Sequence, residues 1–126
     1  MIEIPVSCGD LLDKYSILLV KETKIKDKIK RQNVQKEMYL LQEQALDALH
    51  EQSIWELFIA LYAANSTLWI IEDKIRACEK EKDFGHEFIR LARQVYHTND
   101  KRAELKRQIN VLSGSELIEE KSYEAY

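Results

Sequence analysis

Polar side chains interrupt three otherwise apolar helix seams, and they are the residues with which this chain could do chemistry. At spacings of three and four, the first seam admits one acid, the second an amide and an acid, and the third an amide and two cations. A carboxylate, a guanidinium and amides between helices can bind a small polar ligand. The candidate ligand-binding residues are Glu22, Asn65, Glu72, Asn99, Arg102 and Lys106.

Four of these residues fall at one height if the helices begin and end at common faces of a bundle. A helix rises about 1.5 Å per residue, which places Glu22, Asn65, Asn99 and Arg102 roughly 16 to 21 Å above that face. Because a buried charge is costly unless it is paired, we expect a Glu22–Arg102 ion pair flanked by the two amides. Glu72 lies one layer further up, where Arg93 is its expected partner.

Two interpretations of this layer stay open. Polar seam residues can fix the register of packed helices, as they do in coiled coils. The same residues can instead line a pocket for a small polar ligand. The sequence favours a role in register.

The elements that position these residues must be long helices. The 126 residues include only 3 Gly and 1 Pro, and 45% of them are hydrophobic. Turns are therefore few, and the apolar share is enough for a core. We expect an all-α fold and one domain over 1–126, with an extended lead at 1–7 and an acidic terminal segment at 115–126.

Capping residues give the predicted helix boundaries. Ser7 caps a first helix from about Cys8 to Arg31, and Asn33 caps a second. Ser53 with Glu56 forms a capping box at the start of a third helix. That helix breaks at residues 83–85.

The fourth helix ends at Ser113, where Gly114 can take the left-handed conformation that terminates helices. Ser115 then caps a short helix from Glu116 to about Tyr123. The short connections make sequential helices antiparallel, which predicts a bundle of two long helical hairpins. The last two long helices span about 42 Å each, so a homodimer that buries their ends is expected.

Charge and composition leave few other functions. Lys and Arg dominate residues 21–36, but the net charge is −3, so nucleic-acid binding through this stretch is a weaker alternative. Three scattered histidines and two cysteines give no metal-ligand spacing, and we expect no metal and no cofactor. No signal peptide or apolar run of membrane-spanning length is evident, so a cytoplasmic location without membrane contact is expected.

Eight runs along the chain carry a resemblance: residues 4–7, 9–14, 68–69, 71–76, 96, 98–106, 114–116 and 119–123. Together they resemble a family of small uncharacterised all-helical proteins of bacteria and their phages, a domain of unknown function. The resemblance covers nearly the whole chain and is weakest from Lys26 to Ser53. It implies no activity, and it implies a setting near glycosyltransferase and surface-polysaccharide functions.

The function that the sequence favours is a non-catalytic helical interaction or accessory module. Its expected partner is another protein or a second copy of the chain. A small-molecule site or enzyme that uses the polar layer is the first alternative.

Overall fold

The computed structural model describes residues 1–126 and contains four α-helices and no strand. The helices are α1 (Cys8–Lys24), α2 (Lys28–Ala48), α3 (Gln52–Lys80) and α4 (His86–Ser113). The predicted all-α fold of four helices is confirmed.

The turn between α1 and α2 lies earlier than the sequence predicts. The first helix ends at Lys24 rather than Arg31, and Ile25 leaves it with extended backbone geometry. Asp27, not Asn33, caps α2, because its carboxylate accepts a hydrogen bond from the Lys30 N–H at 2.9 Å. The apolar spacing continues through this turn, so only the Asp27 cap marks it.

The other helix ends follow the sequence in part. Ser7 caps α1 by accepting from the Asp10 N–H at 3.1 Å, and Gly114 ends α4 with φ of 67°. The Ser53 capping box is wrong: α3 begins at Gln52, and the Ser53 hydroxyl donates to a Glu51 carboxylate oxygen. The predicted helix from Glu116 to Tyr123 is also absent.

Helix α1 is the central element of the packing. It contacts each of the other helices, whereas α2 packs mainly on α1, and α3 packs on α4 as a long hairpin. The main core combines side chains of all four helices: Leu12, Tyr15, Ala45, Ile54, Phe58, Leu61, Ala64, Leu105 and Ile109. The polar residues of α1 and α4 border this core.

The side of α3 that faces away from the core is apolar. No charged residue occurs from Leu57 to Ile71, which is four turns of helix. Ile59 and Ile70 are 48% and 44% exposed on this side, although the solvent side of such a helix is ordinarily charged. We call it the outer α3 face and define it by Trp55, Ile59, Ala63, Ser66 and Ile70.

Helix α3 is also long and apolar enough to cross a membrane, judged by length and composition alone. Its most apolar window has a mean hydropathy of 1.4, and 33% of that window is buried in the bundle. By this measure the expectation that the chain has no apolar run of membrane-spanning length is wrong. A core helix of a soluble protein passes the same test, so the finding is weak evidence for a membrane.

Gly9 allows the first turn of α1 to approach α4 closely. Its N–H donates to the side-chain oxygen of Asn110 at 2.7 Å. A Cβ atom at this position would lie 2.6 Å from the Lys106 carbonyl oxygen and 2.8 Å from that Asn110 oxygen. No side chain fits there unless the two helices separate.

Gly9→Ala should therefore lower the free energy of unfolding by about 1–3 kcal/mol, which is typical of overpacking. Urea denaturation followed by circular dichroism measures the change. Gly85→Ala is the control, because its nearest neighbour is the Asp83 carboxylate at 3.2 Å, on a loop. Equal losses in the two variants would contradict the proposed close approach.

Candidate functional site

A buried carboxylate on α1 forms the centre of the polar cluster between the helices. Asp13 is 6% exposed and lies one turn beyond Gly9, on the side of α1 that faces α4. Its Oδ1 accepts from Arg102 Nε at 2.8 Å, and its Oδ2 lies 2.5 Å from Arg102 Nη2. The bidentate geometry fixes both the height and the rotation of α1 against α4.

Helix α3 joins the cluster through an amide. Asn65 Nδ2 donates to Asp13 Oδ1 at 3.0 Å and to Ser16 Oγ at 2.8 Å. The Ser16 hydroxyl donates in turn to the Asp13 backbone carbonyl. Asn65 is 6% exposed, so these bonds satisfy a group that water does not reach freely. Three helices thus meet at one aspartate.

Lys106 extends the cluster towards the surface and the C-terminal segment. Its Nζ lies 3.0 Å from Asp10 Oδ1, 2.7 Å from Glu119 Oε2 and 3.9 Å from Asp13 Oδ2. The side chain is only 11% exposed. One ammonium therefore links Asp10 and Asp13 of α1 to Glu119 of the acidic terminal segment.

The terminal segment follows α4 back along its surface. Glu120 pairs with Arg107 at 3.2 Å, next to the Lys106–Glu119 pair. At the far end, the Tyr126 hydroxyl donates to Asp100 and its ring packs against Tyr96. The hydrogen bond to Asp100, with some desolvation, raises the pKa of Tyr126 to about 12.

The pairing decides which protonation states the cluster holds. Burial alone would raise the pKa of Asp13, but hydrogen bonds from Arg102 and Asn65 and the charges of Arg102 and Lys106 lower it below the ordinary value. Burial alone would lower the pKa of Lys106, but the hydrogen bonds that its ammonium donates to the Glu119 and Asp10 carboxylates outweigh that effect and raise it. Asp13 is therefore a poor proton acceptor, and Lys106 is a poor nucleophile.

The structure brings four of the predicted site residues together. Asn65, Arg102 and Lys106 contact Asp13 or its neighbours, and Asn99 accepts a bond from Arg102 Nη1 at 3.3 Å. Their predicted role in binding a ligand stays a prediction.

Two predicted contacts are wrong. Arg102 pairs with Asp13 instead of Glu22. Glu72 is exposed and pairs with Arg76 at 3.3 Å rather than with Arg93. The first error comes from register: Gly9 lies beside Lys106 and Asn110, so α1 sits about one turn further along α4 than aligned helix ends would place it. That shift brings Asp13 to the level of Arg102 and carries Glu22 past it.

Sequence reasoning also missed Asp13, Ser16 and Asn110. One signal was available for Asp13: it lies one helical turn from both Gly9 and Ser16, on a side of the first helix where small residues let a neighbouring helix pack closely. An acid at such a position needs a cation, and Arg102 is the only guanidinium in the seam of the fourth helix. No comparable signal marks Asn110.

No fully buried side-chain nitrogen or oxygen of the cluster lacks a hydrogen-bond partner. The one buried side-chain nitrogen or oxygen without a hydrogen-bond partner is Arg31 Nε, on α2. Two surface pockets of about 350 and 550 Å³ lie elsewhere, along the first half of α4 and at the end of α2. No group of three or more His, Cys, Asp or Glu side chains is placed to hold a metal ion.

The fold and the cluster define a small all-α protein whose buried charges are paired with one another. The chain belongs to a family of unknown function (DUF6165), whose model matches residues 2–126. No curated protein and no solved structure matches it. The resemblance to a domain of unknown function is confirmed.

Removal of the Arg102 guanidinium should destabilise the fold, because Asp13 would be left buried without its cation. Arg102→Met should lower the free energy of unfolding by about 2–4 kcal/mol. Arg107→Met is the control, since Arg107 pairs with Glu120 on the exposed surface. Urea denaturation should show a much smaller loss for the control, and equal losses would contradict a special role for the Asp13 pair.

The lowered pKa of Asp13 predicts an acid-dependent stability. Its pKa is lower in the folded chain than the unfolded value of 3.8, so its contribution is complete well above pH 4. That contribution is lost as the pH falls through 4 towards the folded value. The difference in unfolding free energy between the wild type and Asp13→Asn should therefore shrink from pH 6 to pH 3. A difference that stays constant would contradict this assignment.

Proposed function

We propose that this protein is a non-catalytic helical interaction module that binds a protein partner in the cytoplasm. The single observation that carries the proposal is the outer α3 face. This surface exposes isoleucine side chains over four turns that contain no charge. An exposed apolar patch with charged residues at its borders is typical of a protein-binding surface.

The neighbouring helix provides a comparison within the same molecule. The solvent side of α4 carries charged residues turn after turn, among them Arg90, Lys101, Glu104 and Arg107. That pattern is ordinary for a helix that faces water. Ile89 and Val111 are exposed on this side of α4 too, but charged residues lie between them. No charged residue lies between Ile59 and Ile70 on α3, and this difference supports a partner for α3.

The polar cluster supports a non-catalytic role. A general base or a nucleophile needs a group that is free to exchange a proton near neutral pH. Asp13 is held ionised by Arg102, and Lys106 is held protonated by Asp10 and Glu119. No observation in this cluster favours an enzyme or a small-molecule site.

The setting of the module is a further part of the proposal. The resemblance described above suggests an accessory role beside enzymes of surface-polysaccharide metabolism. A protein that supports such enzymes needs a binding surface and no active site of its own.

Site-specific photo-crosslinking in cells that carry the gene tests the proposal. A photoreactive phenylalanine analogue at Ile59 should give an adduct of one defined mass, identified by mass spectrometry. The same analogue at Glu104, on the solvent side of α4, is the matched control and should give none.

The absence of any adduct from Ile59 would contradict the proposed function. Adducts of equal yield and mixed identity from Ile59 and Glu104 would also contradict it, because they would indicate random encounters.

A further inference from the structure

The outer α3 face is complementary to itself when two copies run in opposite directions. Ile59 and Ile70 lie at equal distances on either side of the midpoint between Ala64 and Asn65. Ala63 and Ser66 share that midpoint. In an antiparallel pair, each isoleucine therefore meets the other isoleucine of the second copy, and small residues meet at the centre.

Small residues at the crossing point let two helices approach closely. Ala63 is exposed, Ser66 is partly exposed, and neither has a side chain that would hold a second helix away. The larger side chains of Ile59 and Ile70 stand on either side of this centre and would close the ends of the contact. This order of large, small and large suits ridges-into-grooves packing.

One pair of charges at the ends of the face is complementary as well. Glu56 and Lys74 are 18 positions apart, or about five whole turns, so they lie on the same edge of α3. Two antiparallel helices bring like edges together, which places Glu56 opposite Lys74 of the second copy, twice by symmetry. Neither residue has an ion-pair partner within its own chain. The remaining charge at the ends of the face, Asp73, is 18 positions from Trp55 and so lies on the other edge of α3, opposite Trp55 of the second copy.

Helix polarity favours the same direction. Antiparallel helices place the positive end of one macrodipole beside the negative end of the other. A parallel pair would instead place the two positive ends side by side, and likewise the two negative ends. We propose that the partner of the outer α3 face is a second copy of this chain, bound antiparallel about the midpoint between Ala64 and Asn65. This inference rests on the proposed interaction function and names its partner.

Analytical ultracentrifugation over a range of concentrations tests this dimer. The wild type should show a monomer–dimer equilibrium, and Ile59→Glu should raise the dissociation constant at least tenfold, because it places a carboxylate in an apolar contact. Ile89→Glu is the matched control: Ile89 is 53% exposed on α4, and this change should leave the dissociation constant unaltered. Circular dichroism should show native helix content in both variants.

A charge exchange tests the orientation. Glu56→Lys and Lys74→Glu should each weaken self-association severalfold, since each places like charges opposite each other in its homodimer. An equimolar mixture of the two variants restores both ion pairs and should associate within about twofold of the wild type.

Four results would overturn the inference. The first is a chain that stays monomeric at all concentrations. The second is a dimer that Ile59→Glu leaves intact, and the third is a mixture that stays as weak as its components. The fourth is flotation of the chain with phosphatidylglycerol vesicles that Ile59→Glu abolishes, because a lipid surface would then be the occupant.

These results separate the partner from the function. A monomeric chain that still gives a defined photo-adduct of another protein from Ile59 would overturn the second copy as partner and leave the interaction function standing. A chain that gives neither a dimer nor an adduct would overturn both.

Discussion

The Asp13–Arg102 pair is the interaction on which the register of the bundle depends. An unpaired carboxylate at this depth would be costly, so α1 and α4 can pack only where the guanidinium reaches both oxygens of Asp13. Asn65 fixes the position of α3 against α1 in the same way, because its amide donates hydrogen bonds to both Asp13 and Ser16. Apolar contacts between helices tolerate a slip of one turn far better than this set of hydrogen bonds does.

The close approach at Gly9 complements that pair. Without a side chain there, the first turn of α1 reaches the Lys106 carbonyl and the Asn110 amide. Lys106 then lies close enough to bridge Asp10 and Glu119. The ion pair and the glycine thus both determine how α1 packs on α4. The ion pair does so by attraction, and Gly9 does so because it has no side chain to keep the helices apart.

The sequence predicts the number and order of the four helices, and the boundaries that it places correctly depend on local chemistry. Ser7 and Gly114 act as a cap and a terminator through their own side chain and backbone, and both positions are confirmed. The α1–α2 turn is misplaced because one aspartate cap outweighs a continuing apolar pattern. Asn65, Asn99, Arg102 and Lys106 are recognisable as seam residues for the same local reason. Which acid meets Arg102 depends on the shift of α1 along α4, and no local pattern reports that shift.

The long sequence separation of the central ion pair has a consequence for folding during synthesis. Asp13 and Arg102 are 89 residues apart, so α1 leaves the ribosome long before the helix that supplies its counter-charge. Until α4 has been made, Asp13 has no guanidinium to pair with, and its carboxylate stays hydrated. The packing of α1 on α4 is then a late step in folding. A chain that ends before Arg102 lacks the cation that Asp13 needs in order to become buried.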